Sequence, residues 1–174
     1  MFYGSTVALA ACVRALSERV WKDMIERIII ENAKSGDLTQ IKNLLLDLID
    51  GIENTENIDI DNALSNCRQM IDEPNSHILL AKLENDVVGF LNLTTRTTIL
   101  HSAPSALIDE LVVAKACRGR GIGKVLMEAA TDKCRDLGCC EVEVSTEMTN
   151  EKARAFYRSC GFEEDSVLLE YDLD

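Results

Sequence analysis

With 174 residues, of which 47% are hydrophobic and 28% charged, the chain has an ordinary globular composition and enough length to bury one sizeable core but hardly two. Its formal net charge of −12 disfavours a nucleic-acid partner, and no segment is long and apolar enough to span a membrane. Seven cysteines with no Cys-x-x-Cys pair, and only His77 and His101 as histidines, argue for reduced thiols in a cytoplasmic protein and against metal ligation.

Residues 1–27 read as an N-terminal extension. Leu9-Ala10-Ala11-Cys12 has the look of a lipoprotein cleavage box, but nothing basic precedes it and the apolar run is too short for a signal segment, so secretion is rejected. Val7, Ala11, Arg14, Leu16, Val20, Trp21 and Met24 instead allow an extra amphipathic helix. Met24 is an alternative start, which would make residues 1–23 an upstream extension; mass spectrometry of the native N-terminus would decide it.

Next, Ile28-Ile29-Ile30 reads as a strand, and Asp37 is placed to cap a helix with Leu38, Ile41, Leu44, Leu45 and Leu48 on one face. An acidic run follows, Asp47, Asp50, Glu53, Glu56, Asp59 and Asp61, without one basic residue. A second helix fits Asp61 to Ile71. Strands fit His77 to Leu83 and Val87 to Thr95, joined by a hairpin turn at Glu84-Asn85-Asp86, and a fourth strand fits Leu107 to Val113. The helix after Gly121 carries Ile122, Leu126, Met127, Ala130, Cys134 and Leu137 on its buried stripe, and Gly138 ends it. Strands at Glu141 to Thr146 and Val167 to Leu173 complete the sheet, with a short helix between them on which Ala153, Phe156, Tyr157 and Cys160 share a face.

The connection from the fourth strand into the long helix carries the chemistry. Gly119, Gly121 and Gly123 let backbone approach a ligand closely, and the helix that follows offers amides without internal partners at its positive end. A phosphate-bearing ligand fits such a cradle. A Walker loop is excluded, because Arg118 and Val125 stand where it needs glycine and Ser or Thr. The glycine spacing and late position also fit a dinucleotide fingerprint poorly. Residues 111–135 hold Lys115, Arg118, Arg120, Lys124, Lys133 and Arg135 against Glu128 and Asp132, a positive patch in an acidic chain.

The spacing that does match is Arg-x-x-Gly-x-Gly, at Arg118, Gly121 and Gly123, followed downstream by Asn150-x-x-Ala153-x-x-Phe156-Tyr157-x-x-x-Gly161-Phe162. In this order the two motifs resemble those of the GCN5-related N-acetyltransferases, the GNAT superfamily. The resemblance runs from about residue 28 to the end, strongest over 106–162, so residues 28–174 are expected to form one N-acetyltransferase domain. It implies an α/β fold: a single mixed, mostly antiparallel twisted sheet of six to seven strands, flanked by about four helices and splayed between strands 4 and 5.

The resemblance further implies acetyl-coenzyme A as cosubstrate. Arg118, Gly119, Arg120, Gly121, Ile122, Gly123 and Lys124 would hold its pyrophosphate. Backbone groups of Leu111, Val112 and Val113 would pair with the pantetheine arm and stabilise the oxyanion, and Asn150 would hydrogen-bond the same arm or simply cap its helix. Tyr157 is placed to protonate the departing thiolate. The attacking amine must first lose a proton, and Glu110 is the first choice of base. Its neighbour Asp109 points to the opposite face by the two-residue period, and Glu143 on the fifth strand is the second choice.

The acidic run lies where the family builds a wall of the acceptor site, which suggests a cationic acceptor: a polyamine, an aminoglycoside, or a lysine or peptide amine. The Glu-Leu-Val-Val strand and Glu143-Val144-Ser145-Thr146 are also similar to acetyltransferases of aminoalkylphosphonates and glucosamine phosphate, whose anionic acceptors would need Arg68, Lys82 or Arg96 in the cleft. Two further alternatives stand: a non-catalytic acyl-coenzyme A sensor or interaction module on the same fold, and a Cys/His enzyme using Cys117, an exposed thiol acidified by Arg118. Family members often pair through edge strands, so a homodimer is the corresponding expectation, although no residue identifies its interface.

Overall fold

The runs Ile78-Leu79-Leu80-Ala81 and Val87-Val88-Gly89-Phe90-Leu91 are apolar at successive positions, as strands covered on both faces must be. In the computed structural model, which describes residues 18–49, 58–164, 166–171 and 173, they form the centre of a five-stranded sheet. Its order is β1 (Ile29–Asn32), β2 (Ser76–Leu83), β3 (Asp86–Arg96), β4 (Ser105–Val113) and β5 (Glu141–Val144). The first four strands pair antiparallel, and β5 joins β4 in parallel. Leu83 pairs with Asp86, so the β2–β3 turn has two residues; Glu84 takes a positive φ of 58°, the hand such tight hairpins favour.

Two hydrophobic layers sandwich the sheet. On one face, α2 (Leu38–Ile49) and α3 (Ile60–Asp72) bury Ile41, Leu44 and Cys67 against Ile78, Leu80, Phe90 and Val112. On the other, α4 (Ile122–Asp136) packs Ile122, Leu126, Met127, Ala130 and Cys134 against Leu79, Leu91, Leu93 and Ile108. Each fully buried aliphatic side chain here stabilises the fold by about 1.5–3 kcal/mol. Phe156 and Tyr157 of α5 (Glu151–Ser159) pack on this second layer, as does α1 (Glu18–Ile25) through Trp21, which is only 3% exposed. Among the described residues no helix is long and apolar enough to cross a membrane.

β4 and β5 part company partway along. Their ladder runs from Ser105 opposite Glu141 to Ile108 opposite Val144, and β4 then continues through Asp109–Val113 with no β5 partner. This is the expected splay. A second irregularity sits at the same place: on β3, Asn92 and Leu93 are consecutive, but their partners on β4 are Glu110 and Ile108, so Asp109 is the extra residue of a β-bulge.

Several elements differ from expectation. Among the described residues, 167–171 and 173 form no strand, and Val167, Leu168, Leu169, Tyr171 and Leu173 are all exposed, so the sheet has five strands rather than six or seven. Branched and aromatic residues favour a strand, but a ladder needs an edge, and the four-residue β5 offers a short one. Leu137 is 39% exposed at the end of α4 instead of buried on its stripe. Asp37 closes a turn by accepting from Lys34 N at 2.9 Å rather than capping α2. Most of the expected N-terminal helix, residues 1–17, lies outside the described residues, as do Asp50, Glu53 and Glu56.

Candidate active site

The cradle begins where β4 ends. The loop crosses Gly119 at φ 72° and Gly121 at φ 91°, backbone that a side chain rarely adopts. Gly121 stands immediately before α4, and Val125 N donates to its carbonyl as the first intrahelical bond. The amides of Ile122, Gly123 and Lys124 therefore have no partner within the helix and point out of its positive end. Gly123 serves a different purpose: a Cβ there would stand 3.2 Å from Phe156 Cζ, so its absence lets α5 close against the helix start.

The cations of the loop divide their work. Arg118 donates from Nε to Val113 O at 2.9 Å and from Nη2 to Asp47 O at 3.2 Å, tying the loop to β4 and α2. Asp47 also accepts from Lys115 N at 2.9 Å. Arg120 lies over the Trp21 ring, 4.9 Å from its centroid, so the N-terminal helix supports the loop from beneath. Lys124 is exposed and lines, with Met127, Thr131, Ser159 and Phe162, a cavity of about 340 Å³ between α4 and α5.

The splay determines which backbone groups are open. Ala114 N donates to Val88 O at 3.0 Å, so, by the alternation of antiparallel ladders, Val112 and Glu110 bond to β3 while Leu111 and Val113 turn their amides and carbonyls toward the gap left by β5. Arg118 takes the Val113 carbonyl. Beside this opening Glu110 accepts from Asn92 Nδ2 at 2.8 Å. Burial pushes the Glu110 carboxyl above the usual carboxylate range; the Asn92 bond opposes this, and the nearby Asp109 charge adds to it.

Asp109 does not point away. It accepts from Thr94 Oγ1 at 3.0 Å, and Thr94 and Asn92 lie on one face of β3, so the bulge brings both carboxylates to the same side of the sheet. The two-residue period fails because it assumes a regular strand. Glu143, in turn, is ion-paired with Arg96, whose Nε also donates to Ser105 Oγ at 3.3 Å. Asn92 itself carries a sequence signal that composition obscures: a single amide within the apolar run Val87–Leu93, 3% exposed in the fold.

On the α4 side of the sheet, the Tyr157 ring packs edge-on to Phe156 and Phe162, with centroids 5.4 and 6.2 Å away. Burial pushes its phenol above the ordinary value, so it stays protonated at neutral pH. Asn150 caps α5, its Oδ1 accepting from Ala153 N at 3.1 Å.

Other expected site groups lie elsewhere. Asp59 caps α3 and Asp61 pairs with Lys42 at 3.2 Å, so with Asp47 the described part of the acidic run is engaged by neighbours. Lys82 is held by Asp37 at 2.9 Å and Glu31 at 3.1 Å. Cys117 is buried, not exposed, and burial raises its thiol, which removes it as a nucleophile; Cys134 is pushed up to about 11 by the same cause. His101, Cys140 and Glu141 present ligand atoms within 4.8 Å of one another, all three exposed, at the opposite end of the β4–β5 ladder from Glu110.

Comparison with known proteins agrees with this architecture. The acetyltransferase (GNAT) family model matches residues 40–162. The aminoglycoside N(6')-acetyltransferase type 1 of Stenotrophomonas maltophilia is 28% identical over 110 residues, 61% of this chain and 72% of that protein. The aminoalkylphosphonate N-acetyltransferase of Salmonella typhimurium is 33% identical over 92 residues, 53% of this chain and 60% of that protein. Among solved structures, an aminoglycoside acetyltransferase from an uncultured soil metagenomic sample, in complex with sisomicin, superposes with a TM-score of 0.71 at 25% identity, covering 87% of this chain and 99% of that one.

Proposed function

The chain belongs to the acetyltransferase (GNAT) family and is an acyltransferase; from that premise we propose that it transfers the acetyl group of acetyl-coenzyme A to a primary amine by direct attack in a ternary complex. The observation that carries this reading is the half-buried Glu110 carboxylate beside the unpaired stretch of β4. In this reaction the acceptor ammonium gives a proton to Glu110, and its nitrogen attacks the thioester carbonyl carbon. A β4 backbone N–H, that of Leu111 foremost, stabilises the oxyanion. The intermediate collapses, the carbon–sulfur bond breaks, the coenzyme thiolate takes the Tyr157 proton, and the second proton shed by the nitrogen as it becomes an amide restores the phenol through solvent, to which Glu110 releases its own. The pyrophosphate occupies the amides of Ile122 to Lys124, assisted by Arg120 and Lys124.

The acceptor is cationic in this reading, for a reason other than the acidic run. Asp109 and Glu110 present two carboxylates on one face at the opening, whereas Lys82 and Arg96, two of the three cations on which an anionic acceptor would draw, are held by carboxylates of their own, leaving Arg68 on α3 as the third. The test is an amine panel following coenzyme A release, with polyamines and aminoglycosides against an aminoalkylphosphonate and glucosamine phosphate. Turnover confined to the cationic amines is expected; preferred turnover of the phosphorylated ones would overturn the acceptor assignment, and coenzyme binding without turnover of any amine would overturn the enzymatic one.

A further inference from the structure

Asn92 is the one polar side chain in the run Val87–Leu93, and both its ends are constrained. It is 3% exposed and stands directly across the ladder from Glu110. An ionised carboxylate only accepts hydrogen bonds, so the amide must turn its Nδ2 to Glu110 Oε2, 2.8 Å away. That choice sends Oδ1 the other way, where it is buried without a hydrogen-bond partner among the described residues. Buried amide oxygens are rarely left so, since the desolvation is uncompensated. An apolar residue would suit Phe90 and Val112, its neighbours on that face, better than an amide with one end unmet.

From this geometry we infer that Asn92 is a positioning residue for the transfer reaction: it fixes the Glu110 carboxylate beside the open stretch of β4, with Oε2 held by the amide and Oε1 left to receive the acceptor's proton. The inference rests on the reading of Glu110 as base. It assigns Asn92 two effects on one group. The bond restricts the carboxylate to a single orientation, and it favours the charged form against the burial that raises Glu110. Among the described residues, the titratable groups beside Glu110 are Asp109 on its own strand and Cys67 on α3, whose thiol is itself raised by burial and by Glu110; Arg96 on β3 acts on Asp109. Asn92 is thus the neutral donor that favours the charged form of a crowded carboxylate.

The experiment titrates Glu110 directly in the free enzyme by carbon-13 NMR of its side-chain carboxyl, assigned by the resonance missing from Glu110→Gln, in wild type, Asn92→Leu and Asn92→Asp. Turnover is measured beside it with the best amine of the panel. Asn92→Leu should raise the Glu110 midpoint by about one pH unit and move the acid limb of kcat/KM with it, with no loss of thermal stability. Asn92→Asp, which puts a second carboxylate in hydrogen-bonding range, should raise it further and gives the same readout if the leucine variant folds poorly. An unmoved midpoint in both variants, with activity lost in Glu110→Gln, overturns this inference alone. Full activity in Glu110→Gln overturns the base assignment, and the role of Asn92 in catalysis with it.

Discussion

Asp109 and Glu110 are adjacent in the chain, yet their carboxylates lie on one face of the sheet, held by Thr94 and Asn92, alternate residues of β3. A regular strand would have sent them to opposite faces. The bulge at Asp109 therefore both interrupts the β3–β4 register beside the splay and doubles the negative charge at the opening.

Glu110→Gln should lower kcat/KM by about 10²- to 10⁴-fold, the range for removing a general base. Its effect on folding has the opposite sign. Because burial raises the Glu110 carboxyl, the stability it contributes is present at low pH and lost as pH rises through its folded value, while activity rises through that same value. Urea denaturation at pH 7 should find the glutamine variant at least as stable as wild type, alongside a pH–rate profile whose acid limb lies above the usual carboxylate range.

Tyr157→Phe should cut kcat by about 10²-fold while leaving the affinity for coenzyme A, read by calorimetry, unchanged. Its ring contacts with Phe156 and Phe162 survive the change, so the loss reports the hydroxyl. Since the phenol is raised from a value of about 10, wild-type activity should show no alkaline fall from this group below that pH.

The cradle is tested by its glycines. Gly121→Ala places a Cβ on backbone at φ 91°, a cost of about 1–2 kcal/mol, and Gly123→Ala drives a Cβ to 3.2 Å from the Phe156 ring. Either change should weaken acetyl-coenzyme A binding about tenfold in titration calorimetry. Gly36→Ala, where a Cβ meets nothing within 4 Å, serves as the control and should bind normally.

Far from the cleft, Asp37 accepts from both Lys82 Nζ and Lys34 N at 2.9 Å and is held below its ordinary pKa: burial raises it, but the Lys82 and Lys34 interactions together outweigh this. Asp37→Asn should destabilise the fold by about 1–2 kcal/mol at pH 7. A depressed carboxylate loses its contribution as pH falls through its folded value, so the difference in denaturation midpoint between the two proteins should shrink as pH falls below the ordinary aspartate value.

Much of this was legible in the chain because it is local. Gly119 and Gly121 are spaced for a loop that needs positive φ, the period of Ile122, Leu126, Met127 and Ala130 makes one helical stripe, and Asn150 precedes a helix start; each depends on residues within a turn or two. Order along the chain also set Glu110 on the strand that leads directly into the loop. The partners of charged and amide groups were another matter. That Asp47 turns to the loop, that Arg96 takes Glu143, that Cys117 is buried, and that Asn92 faces Glu110 are contacts between distant segments. They follow from cross-strand register and from a single inserted residue at Asp109, and a one-residue change of register alters which face every later side chain meets.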